Sequence, residues 1–163
     1  MTARANAVTF HRNAPTESDG AWMQGVTASA RGAFAAIVAR GGNSADIAHT
    51  AREVWQHIDA SLSPIIGARG VAALYRRSVH LLKRDHPSLD ALHAEATAAD
   101  HFAELQRASD SQSREGALDM NAAMLETFRD VLTKLIGASL SERLLRPAWD
   151  LLARNAAAEG PPP

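Results

Sequence analysis

The chain has 163 residues, 46% of them hydrophobic, 21% charged and only 5% aromatic, which suits a single domain with a real core. Seventeen basic residues against eighteen acidic ones leave a formal charge of −1, so no global field steers the protein toward nucleic acid or an anionic membrane. The absence of cysteine excludes a disulfide framework, a thiolate nucleophile and any sulfur-ligated zinc or iron–sulfur centre.

Alanine supplies 34 residues and arginine 15 of the 17 basic ones, with Lys83 and Lys134 the only lysines. This bias resembles the coding habit of a GC-rich bacterium, and alanine is also the best helix former. Residues 1–20 mix Asn13, Pro15, Thr16, Ser18, Asp19 and Gly20 without periodicity and are expected to form a flexible arm. They hold no apolar stretch of signal-peptide type, and no run reaches the 18 or so apolar residues of a membrane span. A cytoplasmic protein without membrane contact is the expectation.

A first helix is predicted from about Trp22 to Ala39, with Trp22, Val26, Ala30, Ala33, Phe34, Ile37 and Val38 on one side and Gly41-Gly42 stopping it. Ser44 is the expected N-cap of the second, with Asp46 in its first turn. Its stripe is Ile47, Ala51, Val54, Trp55, Ile58 and Leu62, with Pro64 and Gly67 at its end. A third helix, about Ala68 to Asp85, buries Val71, Leu74, Tyr75, Val79 and Leu82, and His86-Pro87 ends it.

The fourth helix is expected over Ser88 to Ala108, with Leu89, Leu92, Ala96, Ala99, Phe102 and Ala103 inward and a turn at 109–113. In the fifth, Leu118, Leu125 and Leu132 fall seven apart, as do Asn121, Phe128 and Leu135, an a/d pattern for close helix pairing. Gly137 ends it. Ser139 with Glu142 predicts a capping box opening the sixth helix, whose stripe is Leu140, Leu144, Leu145, Ala148 and Leu151, with a kink at Pro147. The tail, 156–163, ends in Glu-Gly-Pro-Pro-Pro and cannot continue a helix.

A self-match at an offset of 70 organises these elements. Leu62-Ser63-Pro64-Ile65-Ile66-Gly67-Ala68 lines up with Leu132-Thr133-Lys134-Leu135-Ile136-Gly137-Ala138, and Leu74, Arg76, Leu81 and Leu82 meet Leu144, Arg146, Leu151 and Leu152. The expected fold is therefore an all-α, single-domain bundle of five to six helices over 21–155. It consists of two three-helix repeats, about 20–85 and 90–155, with pseudo-two-fold symmetry and a crevice between the halves that Arg76 and Arg146 could face.

Arg69, Arg76, Arg77, His80, Lys83 and Arg84 give the third helix a basic strip, because 76, 80, 83 and 84 share a face. Such a strip is either a solvated outer face or a site for an anionic group. The second helix, a turn at Gly67 and the third helix have the outline of a helix-turn-helix, but so does any helical hairpin, and the rest of the chain offers no phosphate-binding frame. Nucleic acid is not the expected partner.

His80-Leu81-Leu82-Lys83 has the histidine-then-lysine spacing of histidine phosphotransfer domains, themselves helical bundles. Arg84 and Asp85 stand where those domains carry a glycine and small residues, so that role is not transferred to His80. His49 and His57, like His93 and His101, are eight apart without a metal-binding pattern, and no metal or cofactor is expected. Trp55 reads as core, whereas Trp149 lies beside its stripe and could edge an interface or pocket. No nucleophile elbow or phosphate loop is present. The expectation is a regulatory interaction module acting by protein binding as a homodimer, with Arg76, Arg77, His80, Arg84, Arg146 and Trp149 as candidate contact residues. A sensor for an anionic or aromatic small molecule is the alternative.

Overall fold

The computed structural model describes residues 30–92 and 98–158. The expected N-terminal arm, Trp22, Val26 and all but the start of the C-terminal tail lie outside the described residues. Everything described is helix or turn, with no strand among the described residues.

Helix α1 is described over residues 30–39 and turns its Ala30, Ala33, Phe34 and Ile37 face to the core. After the Gly41-Gly42 turn, α2 runs Ser44–Leu82. Its N-cap is Asn43 rather than Ser44. The Asn43 side chain accepts from the Asp46 amide at 3.0 Å, and the Asp46 carboxylate accepts from the Asn43 amide at 2.8 Å, a reciprocal capping box. Gly67 interrupts α2 with φ 77° and ψ 156°, so the helix is two arms, 44–66 and 68–82, meeting at one residue. Only glycine visits that combination without strain.

The continuous helix expected over Ser88–Ala108 is broken. A short 3₁₀ turn, Pro87–Ala91, opens on the proline and ends at Leu92, whose ψ of 125° is extended. Helix α3 is Ala98–Asp110. Proline at the first position suits a helix start, but the extended Leu92 prevents that turn from running on into α3. Helix α4, Arg114–Ile136, is capped by Ser113, which accepts from the Gly116 amide at 3.1 Å. Gly137, with φ 87° and ψ 159°, joins it to α5, Ala138–Ala157. The capping box expected from Ser139 and Glu142 does not form. The glycine itself occupies the cap position, which leaves Ser139 inside the first turn.

The core centres on Trp55. Its ring meets Tyr75 edge-on at 5.2 Å and Phe128 edge-on at 5.1 Å, and stacks on Phe102 at 5.9 Å. Four helical segments are thereby tied to one side chain: both arms of α2, α3 and α4. Such aromatic pairs contribute about 0.5–1.5 kcal/mol each beyond their burial. The a/d stripe of α4 is used inside the chain. Asn121, Leu125, Phe128 and Leu132 are buried, and α4 packs mainly against α2; Leu135 alone of the stripe is exposed. Trp149 also belongs to the core face of α5, with Leu145, Ala148 and Leu152, at 8% exposure.

Helix bounds and burial recur along the chain. Ser44, Ile66 and Ala68 correspond in position to Arg114, Ile136 and Ala138, each 70 residues on. Of the thirteen buried residues of α2, eleven fall at that offset on buried residues of α4 and α5. The leading helices follow a different spacing. Ala33, Phe34 and Ile37 of α1 face the core as His101, Phe102 and Leu105 of α3 do, 68 residues on. The gapless match of the sequence therefore holds for the glycine-jointed helix pairs and shifts by two residues before them.

Candidate functional site: a basic crevice

The second arm of α2 carries two faces. Val71, Tyr75, Ser78 and Val79 point into the core, while Arg76, Arg77, His80 and Arg84 are exposed. Where this arm passes Leu92 and α3 there is a crevice of about 240 Å³, lined by Tyr75, Arg76, Val79, His80, Lys83, Leu92 and His101. Positions 76, 80 and 83 are spaced by four and three, so one helix face presents all three cationic side chains to it.

The floor is aromatic. Tyr75 and His101, both buried, lie nearly parallel with ring centroids 5.1 Å apart and planes 10° apart. The Tyr75 hydroxyl donates to the main-chain carbonyl of His101 at 3.3 Å. Burial, and secondarily the Glu104 carboxylate, push the Tyr75 phenol far above its ordinary range, so it remains a protonated donor. Val79 and the half-buried Leu92 complete an apolar wall. No carboxylate lines the crevice. Lys83 reaches Asp90 at 3.7 Å across a largely solvated gap, and neither Arg76 nor His80 makes an ion pair among the described residues.

Of the six residues expected to make contacts, the crevice brings together Arg76 and His80. Arg77 and Arg84 are exposed on the same arm but do not line it. Arg146 is exposed on α5 and is not among the lining residues either, and Trp149 is packed in the core with its indole N–H unpartnered. Sequence reasoning missed the floor. Tyr75 was assigned only to a core stripe, and His101 was weighed only as a metal ligand. The available signal was the spacing of His101, Phe102, Leu105 and Ser109, which puts the histidine on the buried face of α3.

A second, more open hollow of about 580 Å³ lies between the α1–α2 turn and the end of α5. Its polar groups are already engaged. Arg40 donates to the Asn155 carbonyl at 2.9 Å, Asn155 donates to Glu53 at 3.0 Å, and His49 approaches the same carboxylate at 3.6 Å. His57 instead contacts the Glu53 carbonyl at 3.0 Å. No group of three or more metal-ligating side chains occurs among the described residues, and none of their helices is long and apolar enough to cross a membrane. Set against protein-family profiles, curated proteins and solved structures, the chain finds no significant match.

Proposed function

We propose that this protein is a regulatory binding module, a doubled three-helix unit whose basic crevice receives an anionic group. The crevice carries the reading. Three cationic side chains from successive turns face an apolar, aromatic-floored hollow without any acidic residue of its own. Lining of that composition complements a small anion with an apolar body.

The doubled architecture is part of the proposal, and three coincidences support it. The glycine joints have nearly the same dihedrals, the helix bounds recur at 70, and the buried positions recur with them. On this reading the halves have diverged at the site. His80 and Lys83 correspond to Asp150 and Ala153, so only the first half keeps the cationic face, although Arg76 retains its counterpart in Arg146.

The test is a thermal-shift panel of small anions. An anion at 100 times its dissociation constant adds about 2.7 kcal/mol, or roughly 5–11 °C for a domain of this size. The shift should vanish in Arg76→Glu/Lys83→Glu, whose unliganded melting temperature should stay close to that of the parent. A panel of phosphate, carboxylates and nucleotides that leaves the parent unmoved would reject the reading.

Two exposed side chains favour a second reading, self-association as a homodimer. Ile65 is 55% and Leu135 62% exposed, and they occupy matching places two residues before the glycine joints. Light scattering should then report a dimer in the parent and a monomer in Ile65→Asp/Leu135→Asp. A monomeric parent at every concentration would exclude it.

A further inference from the structure

From the same crevice, and resting on the anion-site reading above, we infer the class of its ligand: a single-ring aromatic carboxylate, with nucleotides excluded. Size sets the upper bound. About 240 Å³ corresponds to roughly eight waters' share of liquid volume and falls below the ~300–1,000 Å³ of sites that hold drug-sized ligands. One ring and a carboxylate fit that space; a base, a sugar and a phosphate together do not.

The surfaces set the chemistry. A tetrahedral oxyanion alone would use the cations and leave the apolar wall in water. The stacked Tyr75 and His101 rings are held flat by burial, and the tyrosine is further fixed by its hydrogen bond to the histidine's carbonyl. Val79 and Leu92 stand beside them. A planar ring placed on this floor excludes water from all four side chains at once. Its carboxylate, leaving the ring in plane, then meets the Arg76 and Lys83 edge, where the planar guanidinium matches both oxygens. The hydroxyl of Tyr75 is already engaged as a donor, so the ring is recognised by shape and apolar contact rather than by a polar group on the floor.

Titration of the full chain with benzoate, cyclohexanecarboxylate, inorganic phosphate and adenosine monophosphate, followed by amide and methyl NMR shifts, tests this. Benzoate is expected to saturate with Kd of about 1 mM or tighter, moving the signals of Val79, Leu92 and His101. Arg76→Gln should weaken it at least tenfold, and Leu92→Asp should weaken benzoate while sparing any residual phosphate binding. If phosphate or the nucleotide saturates the site and benzoate does not, the crevice is an anion site but the aromatic assignment fails. Equal affinity for benzoate and the cyclohexane acid would likewise overturn the aromatic class. If none of the four binds, the ligand assignment and the reading beneath it both fall. Benzoate binding that Arg76→Gln leaves unchanged, with no shifts at Val79, Leu92 or His101, would remove it from this crevice and overturn the inference.

Discussion

Alanine substituted for glycine should act with opposite sign at three positions of this chain, and the backbone alone decides which. Gly67 and Gly137 hold φ near +77° and +87° with ψ near 156° and 159°. A Cβ built on either meets nothing within 4 Å, so no clash contributes and the cost is conformational alone. Positive φ with extended ψ is accessible almost only to glycine, and holding another residue there costs about 1–3 kcal/mol. Gly67→Ala and Gly137→Ala should therefore each lower stability by that amount, and by nearly the same amount as each other. Gly32 is helical, exposed and equally uncrowded. There alanine should stabilise by about 0.5–1 kcal/mol, since glycine gives up more chain entropy in a helix. Urea denaturation followed by circular dichroism resolves differences of this size, which correspond to roughly 2–4 °C per kcal/mol in melting temperature. A neutral Gly67→Ala, or a pair differing by more than about 2 kcal/mol, would refute the idea that one backbone geometry serves both joints.

Other expectations follow from single side chains. Trp55→Ala removes the ring shared by four helical segments and should cost about 3–5 kcal/mol, measured by chemical denaturation; a loss under about 1 kcal/mol would mean the aromatic cluster is peripheral. Asn43→Ala breaks both halves of the capping box and should cost about 1 kcal/mol, whereas Ser44→Ala, next to the cap, should cost little; the reverse order would return the cap to Ser44. Asn121 is fully buried and donates to Ser109 at 2.8 Å and to the Ala117 carbonyl at 2.8 Å, but its own carbonyl oxygen has no partner. Asn121→Ala should thus be tolerated within about 1–2 kcal/mol. Asn121→Asp should not, because burial raises a carboxyl's folded-state pKa. The penalty should be small below about pH 4, where the unfolded carboxyl is also protonated, and should grow as pH rises. Stability of that variant increasing from pH 4 to pH 7 would contradict the assignment.

Much of the architecture is legible in residue spacing. The stripes of α2 and α4 place Trp55, Ile58, Leu125 and Phe128 correctly in the core, because a 3.6-residue period over twenty or more residues tolerates local error. Ends are less legible. Asn43, Ser44 and Ser139 are all competent caps, and only the joint geometry decides that Asn43 caps while Gly137 displaces Ser139. The break after Ala91 was hidden because Leu89, Leu92 and Phe102 also fit a helical stripe. Half of the candidate site was legible in the same way. Arg76, His80 and Lys83 declare themselves as one helix face, but whether that face is open solvent or the wall of a hollow depends on Leu92 and His101, which arrive from other segments. Trp149 was misplaced for a related reason: a stripe traced through Leu140, Leu144 and Leu151 drifts off the true core line of Ser141, Leu145, Ala148 and Leu152.

The joints at Gly67 and Gly137 leave no slack. Two helices that meet at one residue have no loop in which to absorb a change of length. An extra residue beside either glycine would swing the following helix about 100° around its axis, carrying Tyr75 or Leu145 out of the interior and a charged neighbour inward. The turns before α2 and α4 are not held in this way, and it is there that the spacing slips from 70 to 68. Natural relatives of this chain should accordingly differ in length at the Gly41–Asn43 and Ser111–Ser113 turns and keep invariant spacing through both elbows.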